Sequence, residues 1–321
     1  MKYVLVNFGG PRNLEEVESF LIELLTDRDL IQTRWPNWLH RAFFRRVAKK
    51  RARFVREDYA CIGGGSPIFE DTEALASALQ EILQAEVLPF HRYLPGTHAE
   101  FVERIHAWED VETIRVIPLF PQFSFTTTGS IARWFATHLS PVLIQQMQWI
   151  RSYPDHPAFI SAYQEQIQRC LKESDVPLDK TLLLFSAHGL PVRYVREGDP
   201  YRQECESSFL QISAAFPLAG KQLCYQSLFG KEEWIRPYTA EFCKGGDLRD
   251  FRRVIVVPLS FTSDHIETLF EIENQYLPLL RQQGVEAVRC PALNRDLLWI
   301  EGLAQLASEM PVVTGLELIR R

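Results

Sequence analysis

Short β-branched runs alternate along the chain with amphipathic stretches of helix length, the pattern of a parallel sheet covered by helices on both faces. The clearest strand signals fall at 3–7, 113–117, 181–185 and 254–257. Each leads through a turn rich in Gly, Pro, Ser or Thr into a helix. Polar groups therefore gather at the carboxyl ends of strands, where open α/β sheets bind ligands.

The two halves echo each other. Val4-Leu5-Val6-Asn7-Phe8-Gly9-Gly10-Pro11 parallels Leu183-Leu184-Phe185-Ser186-Ala187-His188-Gly189-Leu190-Pro191, and Arg115-Val116-Ile117-Pro118-Leu119 parallels Val254-Ile255-Val256-Val257-Pro258-Leu259. The expected fold class is α/β, with two similar Rossmann-like domains around a cleft, although any two βα units share part of this likeness. The expected first domain is 1–150 and the second 151–294, joined near two prolines in 151–157, with a C-terminal helix over 295–321 returning to the first.

One segment breaks the rhythm. From Asp29 to Arg56 the chain carries Arg34, Arg41, Arg45, Arg46, Lys49, Lys50, Arg51 and Arg53, interleaved with Trp35, Trp38, Leu39, Phe43, Phe44, Val47 and Phe54. Such a stretch suits the headgroup layer of an anionic membrane, or else packs its aromatics on the body of the protein.

Composition narrows the classes. With 321 residues, 46% apolar and 24% charged, the chain reads as globular, and a net charge of −6 argues against a nucleic-acid partner. Six scattered cysteines without a C-x-x-C pair indicate neither a zinc ribbon nor a disulfide framework and read as reduced thiols. The N-terminus enters a strand-like run without a secretion signal, and no apolar stretch is long enough to span a bilayer. The expectation is a cytoplasmic protein, free or resting on a membrane.

Two constellations carry chemistry. Ser186-Ala187-His188-Gly189-Leu190-Pro191 places a histidine just past a strand, where it can take protons near neutral pH or ligate a metal. In Thr262-Ser263-Asp264-His265-Ile266-Glu267-Thr268-Leu269-Phe270-Glu271, a helix capped by Thr262 or Ser263 would put Asp264, Glu267 and Glu271 on one face, opposite Ile266, Leu269 and Phe270. A carboxylate row repels itself and calls for cations or protons. Together these groups suit a transition metal held loosely, while protons are accepted.

These residues resemble the ferrochelatase family over most of the chain. Asn7-Phe8-Gly9-Gly10-Pro11 looks like its opening turn and Ile62-Gly63-Gly64-Gly65-Ser66-Pro67-Ile68 like its glycine loop. Pro121-Gln122-Phe123-Ser124 with Thr127-Thr128-Gly129-Ser130 is similar to a first-domain strand end. The His188 and Glu267 segments match two signature motifs, and Tyr225-Gln226-Ser227 with Trp234 and Pro237 a further one. The resemblance implies insertion of ferrous iron into a porphyrin, protoporphyrin IX favoured over coproporphyrin. His188 and Glu267 would then be the catalytic and metal-contacting pair, with Asp264, His265 and Glu271 on a metal or proton route. Porphyrin walls would come from Phe8, Ile62, Gly63, Gly64, Gly65, Ser66, Pro67, Ile68, Phe123 and Tyr225, and propionate contacts from Arg92 and Ser130.

Departures matter too. Ala60-Cys61 stand where relatives often carry basic residues, and Gln275 ends the acidic row early. Phe125 occupies the position of a cluster cysteine, so no [2Fe–2S] cluster and no other permanent cofactor is expected; iron is a substrate. A cobalt or nickel chelatase of the same fold, or a non-catalytic tetrapyrrole carrier, are the alternatives.

Overall fold

The computed structural model describes residues 1–319. The chain divides into two compact units, one formed by Met1–Ser152 together with the segment from Leu303 onward, the other by Tyr153–Gly302.

In the first unit a five-stranded sheet runs in the order β2 (Val87–His91), β1 (Lys2–Asn7), β3 (Ile114–Pro118), β4 (Met147–Ile150), β9 (Val312–Thr314). The first four strands are parallel and β9 is antiparallel to β4. Val4, Leu5 and Val6 are all fully buried, the signature of a strand covered on both faces rather than one. Val4, Val6, Phe90 and Val116 pack with Phe101 and Ile105 of α4 (His98–His106), Ile131 and Phe135 of α5 (Thr128–His138), and Trp149. Around them lie α1 (Val17–Thr26), α2 (Asn37–Cys61), α3 (Ile68–Leu83) and α6 (Pro141–Gln146). Strand β2 carries Pro89 at its centre, which masks it in the sequence.

The second unit is built on four parallel strands in the order β6 (Gly220–Gln226), β5 (Thr181–His188), β7 (Arg253–Pro258), β8 (Glu286–Arg289). Its helices are α7 (Pro157–Lys172), α8 (Val192–Arg196), α9 (Tyr201–Ser213), α10 (Thr239–Gly245) and α11 (Leu277–Gln282), with a π-helical segment over Glu267–Tyr276. Leu182, Leu184, Cys224, Val254 and Val256 form one buried face with Ile272, Tyr276 and Leu280. Strand β5 continues three residues past the predicted 181–185 because Ser186, Ala187 and His188 pair in register with Cys224, Tyr225 and Gln226.

The helix predicted over 295–321 is corrected. Helix α12 spans Leu297–Glu309, and Pro311, which has no amide hydrogen to continue it, precedes β9 and a short 3₁₀ turn at Gly315–Leu318. The last two residues of the predicted helix lie outside the described ones. No helix of the described residues is long and apolar enough to cross a membrane.

Candidate active site

His188 closes β5. Side chains alternate across a strand, so His188, Ser186 and Leu184 share one face, and the register brings Gln226 of β6 beside His188 on that face. Ser260 Oγ accepts the His188 amide at 2.9 Å, and Tyr201 donates its hydroxyl to the His188 carbonyl at 3.0 Å. The ring Nδ1 lies against the carbonyl of Gly189, a contact that assigns the proton to Nδ1. Nε2 faces Glu267 Oε2 at 3.8 Å, with no closer partner of its own among the described residues. A Cβ on Gly189 would stand 2.8 Å from the Gln226 carbonyl and 2.9 Å from the Trp234 ring, so only glycine fits that turn.

Glu267 opens the π-helical segment. Serine 227, held at φ 63° directly after β6, aims its hydroxyl at two carboxylates: Glu267 Oε2 at 3.0 Å and Glu271 Oε2 at 2.6 Å. Gln226 donates from Nε2 to Glu271 at 3.1 Å and to the Glu267 carbonyl at 3.0 Å, and accepts from Ser186 at 2.6 Å. Burial, reinforced by the neighbouring Glu267, raises the Glu271 carboxyl to a pKa of about 7. A hydroxyl has one proton to give, so Ser227 serves both partners only if one of them is itself protonated, and Glu271 is the one whose surroundings favour that state. His265 sits 4.0 Å from Glu267 Oε1, and burial pulls its pKa down, toward the neutral imidazole.

The structure thus brings His188, His265, Glu267 and Glu271 together. Asp264 is not on their face. Thr262 and Ser263 do not cap the helix, which becomes helical only at Ile266, and its buried face is Thr268, Ile272 and Tyr276 rather than Ile266, Leu269 and Phe270. The cause is tertiary: Asp264 accepts from Arg289 at 2.8 Å, Asn294 at 2.8 Å and Thr268 at 2.7 Å. Those bonds anchor Asp264 to Thr268 within the segment and to Arg289 and Asn294 beyond it. Among the described residues no group of three or more His, Cys, Asp and Glu side chains is arranged to cage a metal.

Tyr225 is a second correction. It points to the opposite face of the sheet, 2% exposed, where it lines a cavity of about 400 Å³ with Arg202, Phe209 and Lys221. The residues that face the site are its neighbours Gln226, which period-two alternation through a known strand register would have selected, and Ser227, which lies past the end of β6 and turns in at φ 63°.

In the first unit the predicted wall residues divide. Phe8 packs edge-on against Tyr93 at 4.6 Å and is half-buried. Ile62 ends α2, and Gly63 and Gly64 follow with φ of 101° and 91°. The amide of Ser66 donates to the Pro11 carbonyl at 2.7 Å, joining the glycine loop to the turn after β1. A Cβ on Gly65 would lie 2.3 Å from the Arg12 carbonyl oxygen. Pro67 is half-buried, while Ile68, Ser66 and especially Phe123, 1% exposed inside the core, are buried.

Arg92 and Ser130 are corrected as propionate contacts. Arg92 donates to Ser130 at 3.0 Å, Glu23 at 2.9 Å and Asp27 at 2.9 Å, and Asp27 also accepts from Tyr93 and Ser130. Each nitrogen of that buried guanidinium is already bonded to a neighbour, so its charge is met by Asp27 and Glu23 within the unit.

The geometry has counterparts. A family model described as Ferrochelatase matches residues 3–310. A protein named Ferrochelatase from Chlamydia trachomatis serovar D (strain ATCC VR-885 / DSM 19411 / UW-3/Cx) is 46% identical over 316 residues, covering 98% of each chain. A Ferrochelatase from Chlamydia abortus (strain DSM 27085 / S26/3) is 45% identical over 319 residues, 99% of this chain and 98% of the other. Among solved structures, DR2241 from Deinococcus radiodurans, described as similar in structure to chelatases, aligns with a TM-score of 0.51 at 17% identity over 76% of this chain and 53% of its own. SirB from Bacillus subtilis with Fe3+ aligns with a TM-score of 0.50 at 12% identity over 75% and 89%. At those identities the likeness is one of fold.

Proposed function

The chain belongs to the ferrochelatase family and is an enzyme that inserts ferrous iron into a porphyrin, and we propose that His188 and Glu267 take the two pyrrole protons and contact the incoming metal. The observation that carries this reading is the free Nε2 of His188 lying 3.8 Å from Glu267, beside a second carboxylate joined through one serine. Metallation exchanges two N–H protons for Fe²⁺, so two bases must receive a proton each. His188 Nε2 is one. Glu267 is the other; when Glu271 is in its ionised form, Ser227 passes its hydroxyl proton to Glu271 as it takes the one from Glu267, leaving Glu267 ready for another turnover once Glu271 releases that proton to water. His265, kept neutral by burial, supports Glu267 on the metal side.

On the first unit, Phe8, Ile62, Gly63, Gly64, Gly65, Ser66, Pro67 and Ile68 are proposed to contact the macrocycle. With Arg92 bonded to Asp27 and Glu23, and Ala60-Cys61 before the glycine loop, these two positions offer no cation to a ligand carboxylate. That favours protoporphyrin, with two carboxylates, over coproporphyrin, with four. Iron is treated as substrate, with no resident cofactor or cluster; the six unpaired cysteines, five of them buried, suit a reducing cytoplasm.

The basic helix α2 is proposed to rest on an anionic bilayer. His40, Phe44, Ala48, Ala52 and Tyr59 form its buried stripe, while Trp38 and Phe54 stay 71% and 65% exposed among Arg41, Arg45, Lys49, Lys50 and Arg53. Flotation with phosphatidylserine vesicles should recover the intact protein and lose Trp38→Ala/Phe54→Ala; equal recovery would remove the membrane reading.

The function is tested by anaerobic Fe²⁺ insertion into protoporphyrin and coproporphyrin, comparing the intact protein with His188→Ala and Glu267→Gln. Turnover by the intact protein, with both variants binding porphyrin without metallating it, supports the assignment, and the preferred porphyrin decides between the two substrates. Porphyrin binding without metallation by the intact protein would point to a carrier or to another metal.

A further inference from the structure

The π-helical segment that carries both carboxylates is an uncommon conformation, with a wider turn and poorer backbone geometry than an α-helix, and it persists only where surrounding contacts hold it. One side chain touches this part of the chain on both sides of Glu267. Arg289, the last residue of β8, donates from Nη1 to Asp264 at 2.8 Å and from Nε to Glu273 at 2.9 Å. Asp264 stands three residues before Glu267, and Glu273 stands six after it and two after Glu271. The Arg289 and Asp264 side chains are 11% and 10% exposed, whereas Glu273 is 39% exposed.

Asp264 is fixed independently of this pair. Its amide donates to Asn294 Oδ1 at 2.7 Å, and its carboxylate accepts from Asn294 and Thr268. Asn294, itself at φ 48°, donates its own amide to the Thr262 carbonyl at 2.8 Å. The entry to the segment is therefore anchored to the chain just after β8, and the Arg289 arm to Glu273 extends that anchoring into the segment.

We propose that Arg289 is a positioning residue for metal insertion: by gripping Asp264 ahead of the π-helical segment and Glu273 within it, it holds the wide turn that presents Glu267 and Glu271 to the single hydroxyl of Ser227. This role rests on the assignment of Glu267 and Glu271 to the reaction. A planar guanidinium can meet two carboxylates at once through fixed, divergent N–H groups, and a lysine, a point charge on a flexible stem, cannot bridge them in that geometry. Released at Glu273, the segment relaxes toward α-helical spacing, which shifts Glu271 away from Ser227.

The test uses the full chain with Glu273→Gln, Arg289→Lys and the two combined. Glu273 touches no reacting group and is partly exposed, so Glu273→Gln keeps the fold even where loss of the Arg289 fork disturbs Asp264. Steady-state Fe²⁺ insertion should show kcat lowered about tenfold by Glu273→Gln, within the range that small misplacements of reacting groups produce. The porphyrin KM should stay within about twofold, the pattern of a group that acts after binding. Arg289→Lys should match that loss, and the combined variant should add little to it, because both changes cut the same link. Hydrogen exchange at amides of 267–276 should speed up in all three, with β5 and β7 unchanged.

Full kcat and unchanged exchange in Glu273→Gln, or losses that multiply in the combined variant, would overturn the clamp. Exchange does not depend on turnover, so the clamp is decided by it even if the intact protein fails to metallate, a result that would count against the functional reading instead.

Discussion

Replacing Glu271 by glutamine removes the one carboxyl of the site whose pKa is raised to about 7, and the stability of the second unit should record the loss. In the unfolded chain this carboxyl titrates near its ordinary 4.5. The folded state therefore holds a proton that the unfolded state has released across the window from pH 4.5 to 7. Stability falls with pH wherever the folded state binds more protons, so the contribution is fully present below pH 4.5 and lost as pH rises through 7. At about 1.4 kcal/mol per unit, the ceiling is roughly 3 kcal/mol, and partial hydration of a half-buried site brings the expectation to about 2 kcal/mol. Hydrogen-exchange free energies of β5 core amides report the second unit by itself. The difference between the native chain and Glu271→Gln should shrink by that amount between pH 5 and pH 8, in the native chain's disfavour at high pH. Other titrating groups cancel in the difference. A difference independent of pH would mean that Glu271 ionises like any exposed carboxyl, and nothing would then favour it over Glu267 as the holder of the proton passed through Ser227.

Three further outcomes follow from the same contacts. Arg92→Ala should cost the first unit about 3–5 kcal/mol, read from exchange of β1 amides, because it leaves the Asp27 carboxylate buried without its cation; a stable variant with weakened porphyrin binding would restore the propionate role. Tyr225→Phe should leave porphyrin affinity and turnover unchanged and stability level or slightly higher, since that hydroxyl has no hydrogen-bond partner among the described residues; a clear loss of porphyrin binding would return Tyr225 to the wall. Gly65→Ala should weaken porphyrin binding measured by fluorescence quenching while the first unit stays folded, because the new Cβ displaces the loop from the Arg12 carbonyl; unchanged affinity would exclude the glycine loop from the binding surface.

Local order was legible in the residues themselves. Short apolar runs such as Val4-Leu5-Val6, Leu182-Leu183-Leu184-Phe185 and Val254-Ile255-Val256-Val257 read as strands buried on both faces, and a histidine just past the second and a carboxylate row beyond the third are tied to those strand ends by chain connectivity. That is why the His188 turn and the row Asp264, Glu267 and Glu271 stood out from the residues alone, while the choice of His188 and Glu267 as the pair came from the family resemblance. What the side chains of their neighbours face was a different matter. The outward turn of Tyr225 and the inward turn of Gln226 depend on how β6 registers with β5, and a shift of one residue would have exchanged them, while Ser227 turns in through a left-handed residue just past the strand. The roles of Arg92 and Asp264 were set by partners 65 and 25 residues away, Asp27 and Arg289, whose pairing no local pattern encodes. The π-helical turn likewise arises from contacts made after the chain has closed on itself. Sequence fixes what each short segment can be, because backbone propensity and burial are local. Only tertiary structure decides which charges meet, because ion pairs and shared hydroxyls form between segments that are distant along the chain.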